Sequence, residues 1–272
     1  YGTLTTKAGT NVSSVTAQSA VKYYYGASVP SLTANLATAT GYNVTFASWA
    51  SSNTTYMANK TANPTGAFTW PAMPEGTAIT LTANANKTAN VYTISLSNSN
   101  ATTGPSPATV YEKYATGLYS NIACSTAISS ITVPTRTGYT FGGYYTGANG
   151  SGKQMIAADG KFTSNFTNTA FTANTTLQPK WTANSVSYKV EHYLMGTNGS
   201  YPTSATNVQT LSATADSTVT LANLAYTTSA YKVTNGIAYS YGQVGGTTVT
   251  TTTIAANGST VIKLYYESDY GT

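Results

Sequence analysis

The chain has 272 residues, enough to bury the core of one large β domain or of two to three small ones. Only 7% of them are charged, where an average globular chain carries about 25%, and 54 Thr, 28 Ser, 22 Asn and 23 Tyr supply neutral polar surface instead. That composition excludes a helical bundle, a coiled coil and a charged disordered tail, and no apolar run approaches the roughly 18 residues of a membrane span.

The net charge of +5 comes from 12 basic and seven acidic residues. The basic ones are spread from Lys7 to Lys263, with Arg136 the lone arginine. A nucleic-acid surface needs a stripe of Lys and Arg to release counterions, so no nucleic-acid partner is expected. Cys124, the one cysteine, excludes an intrachain disulfide framework and a cysteine-based zinc cluster. It reads as an inert thiol on a strand or turn. The sequence opens at Tyr1 without Met or signal peptide. The expectation is a processed or excised piece of a secreted protein, with any targeting or anchoring segment outside it.

In chain order, Thr3-Leu4-Thr5-Thr6 reads as a strand guarded only by Lys7, a candidate sheet edge. Residues 31–40 offer a turn or short helix. Gly41-Tyr42-Asn43-Val44-Thr45-Phe46-Ala47-Ser48-Trp49 and Ala78-Ile79-Thr80-Leu81-Thr82 follow as strand patterns. Tyr92, Ile94 and Leu96 then alternate with Thr93, Ser95 and Ser97, a period of two that turns one face inward. Residues 121–130 are a second weak helix candidate. Turns are marked by Asn149-Gly150, Asn198-Gly199, Asn235-Gly236 and Asn257-Gly258, and by Gly142-Gly143 and Gly245-Gly246. Residues 247–254, Thr-rich and without charge or proline, form a second candidate edge able to pair with another chain. Strands at Tyr188-Lys189-Val190-Glu191-His192-Tyr193-Leu194 and Val261-Ile262-Lys263-Leu264-Tyr265-Tyr266 close the chain.

The chain also repeats itself. Phe46 and Trp49 answer to Phe141 and Tyr144 at an offset of 95, Thr80-Leu81 to Thr176-Leu177 at 96, and Thr88-Ala89-Asn90 to Thr182-Ala183-Asn184 at 94. Three units follow, at 1–90, 91–184 and 185–272, with short joints. Phe46 and Phe141 are expected at equivalent core positions. The fold class read from this is mostly β or α+β.

In the middle unit, Thr109-Val110-Tyr111-Glu112-Lys113-Tyr114, Ile131-Thr132-Val133-Pro134-Thr135-Arg136-Thr137-Gly138-Tyr139-Thr140-Phe141-Gly142-Gly143-Tyr144-Tyr145 and Thr176-Leu177-Gln178-Pro179-Lys180-Trp181 stand in chain order. Through these motifs the unit resembles the Listeria–Bacteroides repeat, the module of internalin-type B-repeats. The first unit resembles a divergent copy, with Ala47-Ser48 in place of Gly-Gly, and the last more weakly resembles mucin-binding-type repeats. The resemblance implies three small β-grasp-like units end to end, in a non-enzymatic protein outside the cell or on a bacterial cell surface. Its partners would be copies of itself or neighbouring domains of a longer surface protein, and glycans.

Candidate chemistry is sparse. Glu75, Glu112, Asp159, Glu191, Asp216, Glu267 and Asp269 are the whole acidic inventory, too scattered to name a glycosidase pair. His192 is the sole histidine, on a strand, read as a solvent-facing or strand-pairing residue rather than a triad base. Asp159-Gly160 lacks the further ligands of a calcium loop, and Glu267 with Asp269 is the remaining thought for an ion. Gly142-Gly143 is followed by an aromatic strand rather than a helix, so a bulge is expected there, not a phosphate loop. No catalytic, cofactor or metal residue is assigned. Tyr23-Tyr24-Tyr25, Tyr144-Tyr145 and Tyr265-Tyr266 read as strand packing before a glycan platform. Sequons at Asn11, Asn43, Asn53, Asn59, Asn86, Asn100, Asn149, Asn165, Asn174, Asn198 and Asn257 leave decoration open. The expected role is a stalk or spacer with adhesive function; the alternatives are a self-assembling filament, sheath or surface-layer subunit and, more weakly, a glycan-binding module.

Overall fold

The computed structural model describes residues 1–226 and 237–268. It is mostly β, 49% strand and 4% helix, in several sheets. Asn235-Gly236 and Asp269 lie outside the described residues. The chain divides into two compact units, one of Tyr1–Ile94, Val110–Ala127 and Thr169–Thr175, the other of Ser95–Thr109, Ile128–Asn168 and Thr176–Thr272.

The first unit opens with β1 (Gly2–Ala8), β2 (Val12–Val15), β3 (Val21–Tyr23), β4 (Ser28–Val29), β5 (Ala34–Leu36), β6 (Tyr42–Ser51), β7 (Phe68–Thr69) and β8 (Ala78–Ala89). Its main sheet has the order β3-β1-β8-β6, with β2-β5 and β4-β7 as small ribbons beside it. β1 runs parallel to β8, and β6 antiparallel to it. The alternation of Ile79, Leu81, Ala83 and Ala85 with Thr and Asn turns one face of β8 inward. There it meets Leu4, Val29, Leu32, Trp49, Met57 and Trp70, each buried aliphatic side chain contributing roughly 1.5–3 kcal/mol of hydrophobic free energy. Size is matched across the hairpin: Trp49 and Phe46 stand opposite Ala83 and Ala85. Residues 31–40 hold β5 rather than a helix, because β5 pairs with β2 through Val12 to Leu36 and Val15 to Ala34. The unit also contains the start of β9 (Val91–Leu96), then β10 (Thr109–Lys113) and β11 (Gly117–Tyr119), consecutive in one sheet. Residues 121–130 are turns and bridges without a helix.

In the second unit the end of β9, then β14 (Thr175–Ala183), β12 (Tyr139–Tyr145) and β13 (Gln154–Ile156) are consecutive neighbours, with one four-residue helix, α1 (Ser164–Thr167). A further sheet follows from β15 (Ser185–Leu194), β16 (Asn207–Thr214), β18 (Ile237–Val244), β19 (Thr247–Thr248) and β21 (Val261–Ser268), in the order β16-β15-β21-β18-β19. A two-stranded ribbon joins β17 (Thr218–Thr220) to β20 (Thr251–Thr253). β15 is antiparallel to β16 and parallel to β21. Tyr188, Val190, Leu221, Ile254, Ile262, Leu264 and Tyr266 form the core against this sheet.

The strand antiparallel to each closing strand carries one extra residue. The register shifts between Phe46 and Ser48 in β6, between Phe141 and Tyr144 in β12 and between Tyr239 and Tyr241 in β18. Phe46 packs half-buried against Trp49, and Phe141 is buried against Tyr144 and Trp181. Two single-residue joints also match. The Asn90 N–H donates to the Gly41 carbonyl and the Asn90 carbonyl accepts the Tyr114 N–H; Asn184 does the same with Gly138 and Ala215. Gly41 and Gly138 have φ of 78° and 76°. A Cβ on Gly41 would fall on the Tyr114 ring, and one on Gly138 would come 2.5 Å from the Ala256 carbonyl, so both positions require glycine twice over.

Candidate functional site

The structure disperses the titratable groups. His192, expected on a solvent face or in strand pairing, is wholly buried on β15, because three polar residues distant in sequence enclose it. Its Nδ1 lies 2.7 Å from the Tyr266 hydroxyl, its Nε2 3.0 Å from Gln209 Oε1, and its ring stacks on Tyr226 at 3.8 Å. Gln209 Oε1 only accepts, so the proton sits on Nε2 and Nδ1 accepts from Tyr266. Burial lowers the imidazole pKa, opposed by the Gln209 hydrogen bond. The lone pair a general base would use is already engaged.

Five of the acids have separate partners. Glu112, buried on β10, accepts the Phe171 N–H at 2.8 Å. Burial pushes its pKa up while the Phe171 and Ala115 N–H groups pull it down. Glu191 accepts the Tyr193 hydroxyl at 2.8 Å and has Lys263 at 3.9 Å. Asp159 holds Lys161 at 3.1 Å, Glu267 accepts from Ser240 at 3.1 Å, and Asp216 accepts from Tyr139 at 2.6 Å. Among the described residues no three His, Cys, Asp or Glu side chains gather as a metal site. Cys124 is half-buried in a turn, where desolvation raises its pKa.

Tyrosine geometry bears on sugar stacking. Tyr193, Tyr265 and Tyr241 stand side by side across β15, β21 and β18, with centroids 5.0 and 4.6 Å apart and planes within 17° and 12°. Tyr201 closes edge-on over Tyr265, and burial pushes its hydroxyl pKa up to about 12. Each ring covers the face of the next, so this row offers little flat area to a ligand. Tyr23 stacks on Trp70, and Tyr144 is buried with its hydroxyl donating to Ser97. By contrast Tyr25, next to them in sequence, is 79% exposed.

The two expected edges fare differently. β1 lies between β3 and β8, so Thr3-Leu4-Thr5-Thr6 is interior to its sheet. Residues 247–254 are divided between β19, the outer strand at one end of its sheet, and β20 in a two-stranded ribbon, with Val249 packed on the core and Ile254 fully buried. The longer uncharged edge is β16 at the other end of the same sheet, paired only with β15 along its length, with Val208 50% exposed.

Sequence reasoning passed over one cavity in the second unit, of about 160 Å³, lined by Ser99, Asn100, Arg136, Asn149, Gln178 and Trp181 with Ala148 and Pro179. β14 supplies Gln178, Pro179 and Trp181, turns with left-handed Asn100 and Asn149 bring Ser99 and Ala148 with them, and Arg136 comes from the bridge to Tyr139 ahead of β12. The Arg136 guanidinium lies 3.5 Å over the Tyr139 ring and 3.6 Å from Asp216. Trp181 packs edge-to-face on Phe141, its Nε1–H donating to the Ser99 carbonyl at 3.1 Å. The only signals in the sequence were the solitary arginine and a tryptophan ending a strand pattern. No family model, curated protein or solved structure matches the chain.

Proposed function

We propose that the chain is a non-catalytic structural and adhesive segment, a stalk or spacer of a secreted or cell-surface bacterial protein. It is built of three β-grasp-like modules, 1–90, 91–184 and 185–272, in series. The middle module is of the Listeria–Bacteroides type, the first a divergent copy and the last a mucin-binding-like relative.

One observation carries this reading: the strand order recurs as β3-β1-β8-β6, β10-β9-β14-β12 and β16-β15-β21-β18, and successive copies are joined through the single residues Asn90 and Asn184. Joints so short, with both backbone groups of the asparagine engaged, favour a stiff series over a flexible string. Small-angle scattering of the whole chain tests it. A compact 272-residue globule would have a radius of gyration of about 18 Å; the proposal expects a value clearly larger, with the profile of an elongated particle, and a globular profile refutes it.

A second reading, self-association into an extracellular assembly, is favoured by the uncharged β16 edge. Sedimentation of the chain with Val208→Lys and Thr210→Glu, against the unaltered chain, separates it from the first: only an assembling chain loses mass.

A further inference from the structure

Arginine is the side chain least suited to being left without partners. Arg136 is 77% covered, yet its guanidinium makes no hydrogen bond among the described residues, only the long contact to Asp216 and the stack on Tyr139. Five N–H donors in a planar fork are therefore open to a ligand. Around the same cavity stand the side-chain amides of Asn100 and Asn149, which are exposed, and of Gln178, which is half-buried. Each amide presents both a donor and an acceptor. The wall is Trp181, the one tryptophan that is not deep in a core.

We propose that this cavity is a saccharide-binding site that takes one ring of a neutral glycan. A sugar ring carries alternating hydroxyl donors and acceptors around its rim and an apolar C–H face. The lining supplies the complement: planar amide and guanidinium groups for the hydroxyls, an indole for the C–H face. The volume of about 160 Å³ admits a single ring with the rest of the chain leaving through the open side. Charge argues for a neutral ligand, since Asp216 beside Arg136 offsets the cation and no second basic residue lines the cavity. The site stands apart from the stacked Tyr193, Tyr265 and Tyr241 row, whose ring faces are taken. It goes beyond the spacer reading and does not depend on it, because the scattering profile is indifferent to ligand.

Trp181 provides its own reporter. Trp49 and Trp70 are 0% and 1% exposed, so acrylamide quenching and the indole N–H resonance of the half-buried Trp181 follow this site. The whole chain would be titrated with chitotetraose, cellotetraose, maltotetraose and xylotetraose, and with tetragalacturonate as charged comparator. At least one neutral sugar is expected to bind at about millimolar concentration, protecting Trp181 from quencher and shifting its indole signal, with little effect of salt. Gln178→Ala and Arg136→Lys should each weaken binding about tenfold, with the thermal transition of the chain unchanged. The proposal is overturned if no neutral sugar perturbs Trp181 at about 10 mM. It is equally overturned if tetragalacturonate alone binds, or if binding survives both substitutions intact.

Discussion

The β6–β8 hairpin of the first unit and the β12–β14 hairpin of the second share a backbone plan and distribute bulk differently. In both, the four residues from Phe to the next ring oppose three on the partner strand. The first keeps its bulk on the bulged strand, Trp49 and Phe46 against Ala83 and Ala85; the second sets Phe141 and Tyr144 against Trp181 and Pro179. Moving a tryptophan across the hairpin leaves it half-buried and lining a cavity. The bulge chemistry differs too. Gly143 has φ of 108°, and a Cβ there would come 2.5 Å from the Ile156 carbonyl of β13. Where Ala47-Ser48 occupies the bulge, β6 is the last strand of its sheet, and away from β8 Trp49 makes an isolated bridge to Lys60. Glycine at the bulge thus lets an extra strand approach.

The sharpest break of this comparison is to remove the two tryptophans in turn. Trp49→Ala should cost about 3–5 kcal/mol of stability, and Trp181→Ala distinctly less, read by denaturant unfolding followed at each region. Next is the bulge: Gly143→Ala should cost about 1–3 kcal/mol, whereas Ser48→Ala should stay within about 0.5 kcal/mol; equal costs would show that glycine is not required.

A pH series sharpens the contrast between the first sheet, without histidine, and the sheet around His192. Folding lowers the His192 pKa from its ordinary 6.5, so the unfolded chain takes the proton first. Stability is full above about 6.5 and falls as pH drops from there toward the folded value. Hydrogen exchange in β15 and β16 should therefore accelerate on mild acidification while that in β8 does not, and His192→Gln should flatten the response. The smallest effect concerns Glu112, whose pKa is raised by burial. Its contribution is fully present below the unfolded value and is lost as pH rises through the folded one. At neutral pH Glu112→Gln, which keeps an acceptor for the Phe171 N–H, should melt at or slightly above the parent temperature.

What the sequence disclosed was local or periodic. The alternation of Tyr92, Ile94 and Leu96, and that of Ile79 and Leu81, named strands because one face is buried and the pleat has period two. The 95- and 96-residue offsets located the bulged hairpin, since Phe46 with Ala85 and Phe141 with Trp181 are register partners. What stayed hidden depends on neighbours remote in the chain. Thr3-Leu4-Thr5-Thr6 is an inner strand because residues 78–83 lie along it. His192 is buried because Gln209, Tyr226 and Tyr266 close around it. The cavity draws on residues from 99 to 181, and no spacing rule joins them. Residues 31–40 read as a turn or short helix, and pairing of β5 with β2 made a strand of their centre.

The parallel pairing of first and last strands has a mechanical meaning. Thr3 to Ala8 lie along Ala78 to Ala83, and Lys189 to Leu194 along Val261 to Tyr266. A tensile load entering at the start of β1 and leaving at the end of β8 pulls the two strands past one another along their length. Every hydrogen bond between them then shares the force at once, as in a lap joint, instead of parting one after another like a zip. The same holds for β15 and β21, so each of these sheets is loaded in the direction in which it resists rupture most.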